Sequence, residues 1–412
     1  MPNEGRVPTF SRGTAISVIN AMRLGVPVAD PDALRFLTVG QEPWHASMRT
    51  LLDEVRDFDV STLRIVSGEY GDGKSHFMAL VAAEALARTF VVARLVAEKT
   101  PLHKFEDVWK AVLEAIETPA DRGRPGGIRG LLDAWCEAAD GRVPEALVGL
   151  DKVRGIDPSF RVALRLYLQA HLDDGDHEPI LQWLSGGTVR PKGIANRVDK
   201  STAHVMLRSL TKFIKHAGYS GVVLVFDELE HIMEQTVRIR TNSYESIRQF
   251  VDSASNPESL VWLGACTPNL ITDQRGFSEY PALSQRLGRL AAAGASAPLD
   301  FRGTLIHLGQ TPLSQEDLLA LASGIRAVHS LARGWDASTR VTDTVISRAV
   351  AIAATGDFLV ATPRLLVQYF ASTLEIAHQN PGLDIARTIE RDIMSAVTTV
   401  QEQEDSRFKR WE

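Results

Sequence analysis

Eight residues, GEYGDGKS at positions 68–75, constrain the fold more than any other part of the chain. They satisfy the pattern G-x-x-x-x-G-K-[ST], which does its chemistry only between a strand and a helix. Both are expected here. Residues 61–67 (STLRIVS) form a short β-branched and apolar run, and residues 76–89 are rich in Ala, Leu and Met at helical spacing. Gly68, Gly71 and Gly73 let the backbone turn so that successive N–H groups surround phosphate oxygens. Lys74 brings a mobile ammonium to the β- and γ-phosphates. Ser75 offers a hydroxyl to Mg²⁺, and the helix start favours the bound anion. With Glu69, Tyr70 and Asp72 between the glycines and His76 after them, residues 68–76 are the expected ATP-binding stretch.

A second half of such a site lies in VVLVFDELEH. Residues 221–226 are continuously apolar, as in a parallel strand buried on both faces. That strand carries Asp227 to its C-terminal edge, where ligands bind in α/β sheets. Asp227 is the expected Mg²⁺ partner and Glu228 the group that polarises the attacking water, with Glu230 a second candidate base. The plainer alternative is that the acids begin the next helix as favourable N-terminal charges.

The remaining pattern is α/β, then α. Helices are expected over 12–25, stopped by Gly25 and Pro27, and over 45–58 and 102–117; strands are expected over 90–95, 260–266 and 304–308. Residues 119–201, broken by DRGRPGG, DGRVP and SGGTVRPKG, read as a helical insertion. After Leu308 the strands stop. Ser314 and Asp317 form a capping-box pattern, and helices follow to about 399. The expected divisions are an N-terminal segment 1–60, an ATPase core 61–308 and a helical lid 309–412.

Phosphoryl transfer needs more polar groups around the γ-phosphate. Thr267 and Asn269, after the strand at 260–266, are candidates, against a merely capped loop. Arg286 and Arg289, three apart on one helix, are candidate arginine fingers toward a neighbouring subunit, which implies ATP-dependent homo-oligomers. Arg364, opening a lid helix after Thr362 and Pro363, is placed to reach phosphates.

Composition narrows the rest. No apolar run is long enough to cross a bilayer, the start lacks a secretory pattern, and Cys136 and Cys266 lie far apart, so a cytoplasmic protein with two buried thiols is expected. The net charge of −6 disfavours coating of nucleic acid. Residues 190–215 carry Arg190, Lys192, Arg197, Lys200, Arg208, Lys212 and Lys215 against Asp199, a stretch that reads as a solvated helix face or as a DNA contact.

Taken in order, these elements resemble the AAA+ ATPases of the initiator-like branch. There the segment matching FLTVGQE contacts adenine, which implies Val39 and Gly40. More closely, RLGVP, TVGQE, GEYGDGKSHF, TPLHKFEDVW and VFDELE together resemble the ATP-binding proteins of BREX phage-exclusion systems, and the length is similar to the small BrxD-type members. The resemblance implies a cytoplasmic Mg²⁺-dependent ATPase of anti-phage defence working beside a helicase, a methyltransferase and a phosphatase-like protein. It carries Lys74, Ser75, Asp227, Glu228 and Arg364 into phosphate, metal, water and second-sensor roles. Two departures stand out: Ala361 where many AAA+ proteins have glycine, and two arginines in the finger helix. The expected activity is ATP turnover that remodels or assembles partners; the alternative is an ATP-gated scaffold with little turnover.

Overall fold

The computed structural model describes residues 7–121, 125–253, 258–287, 299–353, 362–389 and 391. In chain order, α1 (Arg12–Leu24), α2 (Pro31–Leu37) and α3 (Glu42–Phe58) precede β1 (Thr62–Ser67). Then come α4 (Lys74–Ala87), β2 (Val91–Val96), α5 (Phe105–Ala115) and β3 (Ile116–Glu117). Four helices follow: α6 (Gly127–Ala139), α7 (Val143–Lys152), α8 (Pro158–Leu172) and α9 (Glu178–Leu184). Next, α10 (Ala203–His216) leads into β4 (Val222–Asp227), α11 (Val237–Ser253) and β5 (Leu260–Cys266). After α12 (Pro268–Thr272), α13 (Pro281–Arg286) and β6 (Leu305–His307) come α14 (Gln315–Arg333), α15 (Asp343–Ala353) and α16 (Thr362–Gln379).

Local chemistry explains the boundaries. The Ser11 hydroxyl accepts the Thr14 N–H to start α1, and Gly25, at φ 67°, ends it. Ser314 and Asp317 form the reciprocal capping box that opens α14. Asp30 caps α2 by accepting the Asp32 and Ala33 N–H groups, in a stretch that lacks long-range periodicity.

Six strands form one sheet in the order β3-β2-β4-β5-β1-β6. β2 pairs with β4 and β4 with β5 in parallel. β5 is buried along its whole length and β4 up to Asp227, which accounts for their unbroken apolar runs. β3 is an antiparallel edge strand, Ile116 opposite Ala93 and Glu117 opposite Val92. It stands where the pattern over 102–117 predicts the end of a helix. The buried Glu117 carboxylate lies 2.9 Å from the Arg94 guanidinium, so its charge is compensated. A strand feeding the phosphate loop, flanked by β5 and β6 and embedded among helices, makes this an α/β P-loop NTPase fold.

The chain divides into two compact units that do not follow chain order. One comprises Met1–His45, Ser67–Leu80 and His307–Glu412; the other comprises Ala46–Val66 and Val81–Ile306. In the first, α14 packs against α1, α2, α15 and α16. Arg12 Nε also donates to the Ala332 carbonyl at 3.1 Å. The second holds the sheet and the helices of residues 119–201. Its core includes Trp109, Phe160, Phe213, Phe226 and Trp262, each buried, and Trp109 donates its indole N–H to the Leu184 carbonyl at 2.6 Å. Burying each such side chain contributes roughly 1.5–3 kcal/mol.

Candidate nucleotide site

In the first unit, residues 68–73 form a loop between β1 and α4, which opens with Lys74 and Ser75. Gly71 and Gly73 sit at φ 102° and 90°, in the half of backbone space that residues with a Cβ rarely enter. The main-chain N–H groups of Gly71, Gly73 and Lys74 make no main-chain hydrogen bond among the described residues, which leaves donors for an anion. Lys74 Nζ meanwhile donates to the carbonyls of Gly68 at 2.8 Å and Glu69 at 2.9 Å. Asp72 braces the turn by accepting the Glu69 N–H at 2.7 Å, and burial pushes its carboxyl up to about 6. Ser75 is the second residue of α4.

His76 ties this loop to the N-terminal segment. The Thr38 hydroxyl donates to the Leu34 carbonyl at 2.7 Å and therefore accepts from His76 Nε2 at 2.8 Å. Burial, with His45 adding to it, drives the His76 imidazole down to about 4, so the ring is neutral with its proton on Nε2. The next residues, Val39 and Gly40, are half-buried, and a Cβ on Gly40 would meet Leu313 Cδ2 at 2.6 Å. From α16, Arg364 reaches the loop: its guanidinium carbon lies 4.5 Å from the centroid of the Tyr70 ring. The first unit thus brings together the loop, the segment around Val39 and Arg364 of α16.

In the second unit, β4 ends at Asp227 and Glu228 follows in the left-handed region, φ 59° and ψ 42°. Such a conformation costs on the order of 1–3 kcal/mol for a residue with a side chain. Packing holds it. Leu229, opening the following 3-10 turn (Leu229–Glu234), is fully buried. Gly264 on β5 makes room for it, since a Cβ there would lie 2.5 Å from Leu229 Cδ1. The Glu228 carboxylate is about half exposed (49%), 3.7 Å from His231 Nε2. Glu98, Glu228 and His231 gather their polar atoms within 4.8 Å of one another. Burial works to lower the His231 pKa, but the hydrogen bond to Glu234 and the charges of Glu234, Glu228 and Glu98 outweigh it and raise the imidazole. Glu230 lies within the 3-10 turn. Thr38, Gly264, Glu98 and His231 are absent from the sequence-based set because nothing in their spacing marks them.

Asn269 is exposed in α12, just beyond β5. Arg286 ends α13, while its side chain and all of Arg289 and Ala361 lie outside the described residues. Of the cations in 190–215, Arg208 pairs with Glu258 at 2.5 Å and Lys215 with Asp59 at 2.6 Å, while the exposed Arg190 donates to the neutral Ala195 carbonyl at 3.0 Å. Cys136 and Cys266 are both buried free thiols. No helix among the described residues is long and apolar enough to cross a membrane.

A comparison with curated proteins returns no match. Among solved structures, a Walker-type ATPase of Pyrococcus abyssi is similar at a TM-score of 0.39 and 13% identity, over 89% of this chain and 75% of that one. The model of one protein family, described as BREX system ATP-binding protein BrxC/D, matches residues 11–393. With its phosphate loop inside a match that spans nearly the whole sequence, the chain belongs to the BrxC/D family of BREX system ATP-binding proteins.

Proposed function

We propose that this chain hydrolyses ATP and that turnover drives assembly or remodelling of partner proteins in a BREX defence system. The observation that carries the reading is Glu228, a half-exposed carboxylate directly after the acidic end of a buried parallel strand, held in a strained conformation. Carboxylates so placed accept a proton from water as it attacks phosphorus. Lys74 exchanges the carbonyls of Gly68 and Glu69 for β- and γ-phosphate oxygens, and the free N–H groups of the loop bind the rest of the chain of phosphates. The hydroxyl of Ser75 and the carboxylate of Asp227 are each hard oxygen ligands of the kind Mg²⁺ takes, and these are the residues proposed to hold it. Magnesium bound by these residues would supply neutralisation of the phosphate charge. Val39 and Gly40 flank adenine, Asn269 orients the γ-phosphate or the water, Arg364 contacts the γ-phosphate, and Arg286 serves a neighbouring subunit. Helicase, methyltransferase and phosphatase-like components are the proposed partners.

Steady-state phosphate release tests the reading. Glu228→Gln should lower turnover by about 10²-fold or more while ATP binding is retained. Background release from both parent and variant, with ATP still bound, would leave an ATP-gated scaffold that assembles partners without turnover.

A further inference from the structure

Tyr70 stands second after Gly68 in the phosphate loop and is 65% exposed, yet one face of its ring is taken. The guanidinium carbon of Arg364, the third residue of α16, sits 4.5 Å from the ring centroid. Gly25, the residue that ends α1, closes in from another side. A Cβ there would meet Gln368 Nε2 at 2.2 Å and Arg364 Nη2 at 3.3 Å. Three segments far apart in sequence therefore converge on one cation.

The geometry of the stack decides what it can do. A guanidinium is planar and its five N–H donors lie in that plane. A guanidinium held over an aromatic ring spends none of its N–H hydrogen bonds on that support. An aromatic support consequently does not compete with phosphate oxygens for the same hydrogen bonds, as a carboxylate partner would. It also removes rotamer freedom from a long side chain before the ligand arrives, which lowers the ordering cost of binding.

We propose that Tyr70 is a positioning residue for Arg364: its ring holds the lid guanidinium beside the phosphate loop in the nucleotide-free protein, with its donors free for the γ-phosphate. The inference rests on the reading of Arg364 as a phosphate contact. It goes further by giving the loop residue between Glu69 and Gly71 a task separate from main-chain phosphate binding. An exposed stack of this kind is worth about two- to fivefold in affinity.

The test is calorimetric titration of the full chain with ATP and with ADP, in the presence of Mg²⁺. Tyr70→Ala should raise the ATP Kd by about two- to fivefold and move the ADP Kd little. Tyr70→Phe, which restores the ring, should restore the affinity. The double variant Tyr70→Ala/Arg364→Ala should match Arg364→Ala alone, because the tyrosine acts only through the arginine. The proposal is overturned if Tyr70→Ala weakens ATP binding equally when Arg364 is already alanine, or if Tyr70→Phe loses as much as Tyr70→Ala. It is also overturned if Arg364→Ala weakens ATP binding and Tyr70→Ala does not. An Arg364→Ala variant with parental ATP affinity would sink the phosphate-contact reading itself, and this inference with it.

Discussion

Asp72 places a carboxylate inside a loop built to receive anions. Its place is explained by the Glu69 N–H it accepts at 2.7 Å and by the backbone of Gly68, where a Cβ would lie 2.9 Å from Asp72 Oδ2. The side chain is a brace that fixes the turn from behind. Removing it with Asp72→Ala strands a main-chain donor, at about 1 kcal/mol. The ATP Kd should therefore rise by about fivefold in a titration with a fluorescent ATP analogue. Asp72→Asn keeps an acceptor oxygen and deletes a negative charge near the phosphates, so ATP should bind at least as tightly as to the parent. A looser Asp72→Asn variant would show that the charge itself shapes the loop.

At the scale of elements, α14 and α16 are pinned by a buried polar cluster. Trp335 donates its indole N–H to His329 Nδ1 at 3.0 Å, so the ring proton sits on Nε2 and goes to Glu375 Oε2 at 3.2 Å. Arg333 Nε donates to the same carboxylate oxygen at 2.8 Å. Burial depresses the His329 imidazole to about 4, despite the neighbouring Glu375. The unfolded chain thus takes up a proton near the ordinary value of 6.5 that the folded chain refuses until about 4. The stability tied to the neutral ring is complete above the unfolded value and is lost as pH falls through that window. Thermal melts between pH 7.5 and 5 should show a steeper loss for the parent than for His329→Gln, which does not titrate. Equal slopes would remove His329 from the account.

Elements differed in how legible they were, for physical reasons. β4 and β5 could be read because both faces are buried and every side chain must be apolar. The phosphate loop could be read because positive φ and close approach to phosphate leave glycine little competition. The first turn of α14 announces itself through Ser314 and Asp317. α2 could not be read, since seven residues hold too few turns to show a period. β3 looked helical because its two residues continue an apolar pattern, and only pairing with β2 makes them a strand. Gly264 carries no local mark at all: its need arises from Leu229, a contact made only after folding.

For the whole molecule, net charge is −6, and the ion pairs of Arg208 with Glu258 and Lys215 with Asp59 leave the stretch 190–215 less basic than its composition suggests. The proposed role of Arg286 requires a second copy of the chain. Sedimentation with a non-hydrolysable ATP analogue should therefore yield a larger species than sedimentation without it. A monomer under both conditions would restrict the site to groups from one subunit.

The unit that contains the phosphate loop is assembled from three separated stretches, the last beginning at His307. During synthesis, segments fold as their partners emerge. The loop is translated early, but α14 and α16, which complete its unit, leave the ribosome only as translation passes Gln379. The other unit, contained within Ala46–Ile306, has its residues in hand well before. A half-made chain therefore carries its sheet core ahead of the finished unit around the phosphate loop, which closes only once α16 has emerged.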